Sequence, residues 1–234
     1  MKLFNVVIFL FLTLSTNIWA GTKDYFEFKW LDPEKKVFVL QDKLHENEKK
    51  VYFNVGLGTQ ALSDFQDSTA YHFALGYYFA EEWGVEAFAH IYNNKDNDSY
   101  DAVQNGPSGQ VLPFILRVEN AYGFLLLYSP FYAKLNTYNL IYYIDWSFGL
   151  GASQLGTEDN YSDFAASRTE PTLGYESANK TAITAKTQIS FHLSQMFQLN
   201  IDFYNYWVKT RQPNGGDEKY IRFHDWIFSL GMAF

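Results

Sequence analysis

A chain of 234 residues carrying a formal charge of -8 has little to offer a polyanionic backbone, so a nucleic-acid partner is excluded on electrostatic grounds. Phe, Tyr and Trp make up 20% of it, yet the mean hydropathy is only -0.23. Large rings are therefore mixed with polar groups, and beyond the N-terminal segment no stretch can cross a membrane as a helix.

The N-terminal "MKLFNVVIFLFLTLSTNIWA" has one basic residue, Lys2, an apolar run from Leu3 to about Leu14, and a short polar piece leading to Ala20. That order is expected of a secretory signal peptide over residues 1–20, cut after Ala20. A spanning anchor needs roughly 20 apolar residues, and Ser15, Thr16 and Asn17 interrupt this run. The chain has no cysteine, so neither a lipid-bearing thiol nor a disulfide is available to an exported form. Residues 21–50 are rich in charge, with one short apolar piece at Val37 to Leu40. They read as a periplasmic N-terminal segment, with a small strand or a plug as the roles open to it.

From Val51 onward apolar residues alternate at period two, the signature of strands with one apolar face. "VYFNVGLGTQ" sets Val51, Phe53, Val55 and Leu57 on one face; "YHFALGYYF" sets Tyr71, Phe73, Leu75 and Tyr77. "WGVEAFAHIY" follows, with Trp83, Val85 and Ile91 against Glu86, Phe88 and His90. A fourth strand is placed at about 121 to 132, apolar on both faces and containing Pro130. The fifth, "LIYYIDWSFGLGA", opposes Trp146, Phe148 and Leu150 to Asp145, Ser147 and Gly149. The sixth, "TAITAKTQISFHL", opposes Ile183, Ile189 and Phe191 to Lys186, Gln188 and His192. The seventh, "FQLNIDFYNYW", opposes Phe197, Leu199 and Ile201 to Asn200 and Asp202; the eighth runs from His224 to Phe234.

The connections alternate in length. Short ones fall near Ala80 to Glu82, Lys134 to Tyr138 and Ser194 to Met196; long or polar ones span Ala61 to Ala70, Asn93 to Asn120, Gln154 to Lys180 and Gln212 to Lys219. An up-and-down barrel of the bacterial outer membrane sorts its loops by end in this way. Residues 51–234 are therefore expected to form an all-β, eight-stranded antiparallel transmembrane barrel, closed because lipid leaves no partner for an open sheet edge. The apolar faces then look outward. Glu86, Asp145, Lys186, Asp202 and Asp225 share the opposite parity and form the predicted lumen charge cluster. A basic side chain on the lipid side at mid-depth would cost roughly 2–4 kcal/mol. Phe79, Trp83, Phe191, Phe197 and Phe234 gather where the short turns fall, as an aromatic girdle at the periplasmic interface.

Phe228, Leu230, Met232 and Phe234 resemble the assembly signal that ends Gram-negative outer-membrane barrels, which implies the barrel assembly machinery as a partner through the C-terminal strand. The stretches "VFVLQDKL", "YHFALGYYFAEEWGVE", "YSPFYAKL" and "YYIDWSFGLGAS" resemble the outer-membrane β-barrel domain family of Bdellovibrio- and myxobacteria-like bacteria. That family is related in architecture to small OmpA- and OmpX-like barrels. The resemblance runs from about residue 36 to 234 and implies a place in the outer membrane; it carries no settled activity.

The net negative lumen suggests a narrow cation-preferring pore, but interiors of eight-stranded barrels are just wide enough for side chains to fill. His72, His90 and His192 point inward and His224 outward near the upper rim. Ser190 and His192 invite comparison with lipid hydrolases, yet they lie two positions apart on one strand with no acid obviously placed to orient the imidazole. Asp96, Asp98 and Asp101 lack the glycine and closing glutamate of a calcium loop and read as a solvated acidic turn. Tyr161, Phe164 and Tyr175 in the third long loop are open to a partner surface or a mobile cover. The function expected is structural or surface-interacting, carried by the exposed loops of a monomer in outer-membrane lipid, with no enzyme activity, cofactor or metal. A pore, a lipid-modifying enzyme and a soluble lipocalin-like barrel are the alternatives.

Overall fold

The computed structural model describes residues 43–104, 112–137, 140–166, 174–211 and 218–234. The chain divides into two units, Met1–Leu44 and His45–Phe234, and every described strand lies in the second. The expected signal peptide with Ala20, and the lead-in as far as residue 42, lie outside the described residues.

Eight strands close into one antiparallel barrel in sequence order: β1 Val51–Ala61, β2 Gln66–Tyr78, β3 Trp83–Asp96, β4 Leu116–Thr137, β5 Leu140–Asp159, β6 Glu176–His192, β7 Phe197–Arg211 and β8 Glu218–Ala233. Two short helices, α1 Asp98–Gln104 and α2 Tyr161–Ala165, stand between β3 and β4 and between β5 and β6. Closure is made by β1 and β8, paired from Tyr52↔Ala233 to Ala61↔His224. Every strand carries branched and aromatic side chains at period two, and burial follows that period: β2 alternates without a break from Gln66 to Tyr78. The lumen face is packed and the outer face is bare. Phe124 is 76% exposed, and Leu57, Leu75, Leu150 and Phe228 are exposed with it.

At one end the connections are tight. Phe79 and Ala80 donate their N–H groups to Trp83 O, and Ser194 Oγ accepts from the N–H groups of Met196 and Phe197. At the other end most connections are longer and carry the helices. The connection expected from Ala61 to Ala70 is an exception, since β2 begins at Gln66 and only Leu62–Phe65 join the strands. Most strands also outrun the limits expected for them: β4 extends both ways beyond 121 to 132, and β8 begins at Glu218 rather than His224. Beyond the apolar band both faces turn polar, so the contrast that marks alternation fades while the hydrogen-bond ladder continues.

The β4–β5 hairpin overhangs the turn end. Pairing of β3 with β4 stops at Trp83↔Tyr128, whereas β4 and β5 stay paired to Thr137↔Leu140. A register shift between Tyr128 and Phe131 takes up Pro130, which has no N–H to give a ladder, and frees Ser129 N–H to bond Glu82 O at 2.7 Å.

Candidate functional site

The middle of the lumen is built around one cation. Lys186 Nζ lies 2.9 and 2.7 Å from the two carboxylate oxygens of Glu86 and 3.3 Å from Asp202 Oδ1. These groups come from β6, β3 and β7, and they are 3%, 1% and 0% exposed. Two carboxylates around one ammonium leave an excess negative charge in a dry place, which needs donors to spread it. Tyr52 and Tyr204 supply them to Glu86 through their hydroxyls, and Ser229 Oγ donates to Asp202 Oδ2 at 2.9 Å. The Tyr52 ring reaches Glu86 by lying over Gly76, where a Cβ would stand 2.2 Å from the ring.

Toward the loop end a second network joins His72 Nδ1 to His90 Nε2 at 2.8 Å, and His90 Nδ1 to Asp225 Oδ2 at 3.1 Å. Tyr206 OH lies 3.0 Å from the same His90 nitrogen, and Tyr92 OH donates to Asp225 Oδ2. A carboxylate facing Nδ1 is matched by a proton on that nitrogen, which leaves Nε2 to meet His72.

At the turn end His192 Nε2 meets Asp145 Oδ2 at 2.9 Å. His45 stacks on the His192 ring at 4.3 Å and meets Tyr143 edge-on at 5.1 Å, while Asn47 Nδ2 lies 3.5 Å from Asp145 Oδ2. A cavity of about 30 Å³ remains among His45, Asn47, Asp145, Ser190 and His192, room for about one water molecule. The strap His45–Lys50 thus covers this mouth. Glu81 holds it through the backbone N–H groups of Asn47 and Glu48, and the Lys49 N–H donates to Tyr78 O at 2.8 Å.

Two expectations need correction here. The five lumen charges do not form one cluster: Glu86, Lys186 and Asp202 meet, whereas Asp145 and Asp225 belong to separate histidine networks at opposite ends. The acid thought missing beside His192 is present as Asp145. It arrives from β5, which pairs with β6 through Asp145↔Ser190 and Tyr143↔His192, and that cross-strand register cannot be read along one strand. Among the described residues Ser190 makes no hydrogen bond to His192, so a nucleophile and base are not assembled.

The loop end is capped. Tyr100 of α1 buries with Leu112 and Ile115 against Phe65 and Tyr175. Asn160 ties the two long loops together, its Oδ1 accepting from Ile115 N–H and its Nδ2 donating to Pro113 O, both at 2.8 Å. Arg117 lies 3.9 Å over the Tyr175 ring, whose hydroxyl pKa is pushed up to about 12 by burial and by the nearby Asp96 carboxylate. Phe114 packs on Phe164 and Tyr161. Asp98 and Asp101 fall in the first turn of α1 and Asp96 accepts from Gln66 Nε2. Among the described residues no group of three or more His, Cys, Asp or Glu side chains is placed to hold a metal ion.

On the outside, Phe79, Trp83, Phe197 and Phe234 are exposed at the turn end and Phe191 is half-buried there; Trp83 packs against Tyr128 at 4.6 Å. Phe228 and Leu230 face outward on β8, with Met232 half-buried and Phe234 paired through its backbone to Val51. No family model matches the chain, and no curated protein matches it. Among solved structures it is similar to Neisserial surface protein A, at 12% identity over 79% of this chain and 96% of that one, with a TM-score of 0.49. It is also similar to the outer membrane protein OprG from Pseudomonas aeruginosa (16%, 82% and 99%, TM-score 0.44) and to Ail, the attachment invasion locus protein of Yersinia pestis (10%, 80% and 99%, TM-score 0.44). These likenesses concern architecture, and the closed ladder with its bare apolar belt establishes the fold without them. The chain is an eight-stranded, antiparallel, up-and-down β-barrel.

Within this barrel, parity located the buried charges, but it did not single out the residues that complete their networks. Tyr52, Tyr92, Tyr204 and Tyr206 all sit at inward parity among charged neighbours, a signal that was available. His45 and Asn47 precede any alternating segment and gave none.

Proposed function

We propose that this protein spans the bacterial outer membrane as a closed, non-conducting barrel, monomeric and without enzyme activity, whose working surface is the ordered cap at the loop end. The observation that carries the proposal is the pairing of a bare apolar belt with a lumen filled by buried charges held in ion-pair and hydrogen-bond networks. Such a molecule has nothing to pass through it and everything to show at its ends. Outer-membrane barrels carry an apolar band about 25 Å tall; the exposed apolar residues on all eight strands support such a band here, and the exposed rings at the turn end support an aromatic girdle on the periplasmic side. Export through a signal peptide cleaved at Ala20, and recognition of Phe228, Leu230, Met232 and Phe234 by the barrel assembly machinery, complete the reading. The finer placement among Bdellovibrio- and myxobacteria-like barrels rests on the hairpin "FAEEWGVE", of which Glu81 is the residue that holds the strap.

Cell fractionation followed by gel electrophoresis with and without boiling tests the proposal. The protein is expected in the outer-membrane fraction and its band is expected to move on boiling. Recovery in the aqueous fraction with a single heat-independent band would defeat it.

A further inference from the structure

Just above the belt, at the loop end, outward-facing cations stand beside acids on two sides of the barrel, through an ion pair on one and through cross-strand register alone on the other. Arg117 is held by Glu158 at 2.7 Å and Glu119 at 2.9 Å, and Lys95 stands directly across from Asp67 in the β2–β3 ladder. Lys209 on β7 and Arg222 on β8 differ. Both are exposed and flanked by buried inward neighbours, Val208 and Thr210 on one strand and Phe223 on the other. Neither makes an ion pair among the described residues; the outward Thr181 on β6 holds no carboxylate, and on the other side the β1 ladder ends at Ala61, which faces His224 rather than Arg222. Glu218, diagonal to Lys209 on its upper side, is paired with Lys180 and also feels the charges of Lys209 and Arg211, so this one carboxylate is shared among three cations.

The ladder pairs Lys209 with Tyr220 and Trp207 with Arg222. Lys209 and Arg222 are thus diagonal neighbours, with backbones about 7–8 Å apart, and an exposed aromatic ring accompanies each. With Glu218 shared among Lys180, Lys209 and Arg211, the pair Lys209 and Arg222 keeps an excess of positive charge, and two cations at that spacing repel each other unless an anion sits between them. Below them on the same two strands the Phe203 and Trp226 rings, 4.5 Å apart, open the apolar belt. Four residues of tilted strand separate Arg222 from Trp226, about 10 Å along the barrel, which is close to the depth of a headgroup layer.

We propose that Lys209 and Arg222, with Trp207 and Tyr220 beside them, bind the phosphate of an anionic lipid headgroup lying against the outer wall of the barrel. The inference rests on the outer-membrane placement proposed for the chain. The ligand is a lipid because the site is continuous with the belt: a phosphate held between the two cations places its acyl chains on Phe203, Trp226 and Phe228. Among the described residues of the rim Arg117 is already occupied by carboxylates, whereas Lys209 and Arg222 hold no ion pair.

The test uses the full chain folded in detergent, native and as the double variant Lys209→Gln, Arg222→Gln, which keeps much of the side-chain bulk and removes both charges. Each is titrated with lipid A carrying its phosphates, with the same lipid dephosphorylated, and with inorganic phosphate as competitor, and retained lipid is read by native mass spectrometry. The native barrel is expected to retain phosphorylated lipid A, and the variant to lose on the order of tenfold or more in apparent affinity. Equal retention by the two proteins, or equal retention of dephosphorylated lipid, would overturn the proposal. Displacement by inorganic phosphate at matching concentration would assign the site to a soluble anion and overturn it too. Both proteins are also run boiled and unboiled. A barrel that shifts on boiling but shows no phosphate preference removes this inference alone, whereas one that never shifts removes the outer-membrane placement beneath it.

Discussion

Lys186 is the residue on which the lumen turns. Its ammonium group meets Glu86 and Asp202 at once, and both carboxylates are buried away from the surface. Replacing one member of a buried ion pair leaves the other charge stranded, a loss of about 3–5 kcal/mol. Lys186→Met is therefore expected to destabilise the detergent-folded barrel by that amount in urea unfolding, and the triple variant with Glu86→Gln and Asp202→Asn to recover most of it. A Lys186→Met barrel as stable as the native one would mean that the network contributes nothing. The inward direction of Lys186, Glu86 and Asp202 was legible in the sequence, because a period of two leaves only two sides. Their meeting was not, since it depends on the relative register of β3, β6 and β7, and Tyr52 joins them only because Gly76 leaves room for its ring.

At the scale of elements, strands inside the apolar band were recognisable and strands outside it were not. β2 begins at Gln66 because Gln66, Ser68 and Ala70 continue the inward row, but their small or polar side chains give no contrast with Asp67 and Thr69. The cap shows the same limit: Tyr161, Phe164 and Tyr175 were visible as rings in a polar loop, while Asn160, which ties that loop to its neighbour, carries no periodic signal. Asn160 is buried and joins two loops by two hydrogen bonds. Removing its amide strands Ile115 N–H and Pro113 O at a cost of about 1–3 kcal/mol. Because the cap is a small cluster apart from the barrel core, Asn160→Ala is expected to leave the boiling shift intact and to speed proteolytic cutting of the long loops several-fold. Unchanged cutting would show that the cap is held by other means.

For the molecule as a whole, closure removes every sheet edge at membrane depth, and the filled lumen separates the two ends. Planar-bilayer recordings of the purified barrel are expected to show no unitary conductance, and Asp145→Asn and Asp202→Asn variants to be equally silent. Discrete openings would mean that the strap and the lumen network can both be displaced. The architecture was the most legible level of all, because eight alternating segments joined at unequal loops admit few arrangements.

The central claim, that large apolar side chains touch acyl chains while polar ones are sealed within, is tested most directly by single cysteines in this cysteine-free chain. Outward replacements are made at Phe73, Leu150 and Phe228, and inward ones at Ser147, Ser153 and Ser229, where serine and cysteine are close in size. With the barrel in phospholipid vesicles, a small fluorescent thiol reagent is expected to label the outward set and its emission to be quenched by spin-labelled acyl chains. The inward set should stay unreactive until the protein is unfolded. Outward labels that report water rather than acyl chains, or inward cysteines that react as fast as outward ones, would contradict the account.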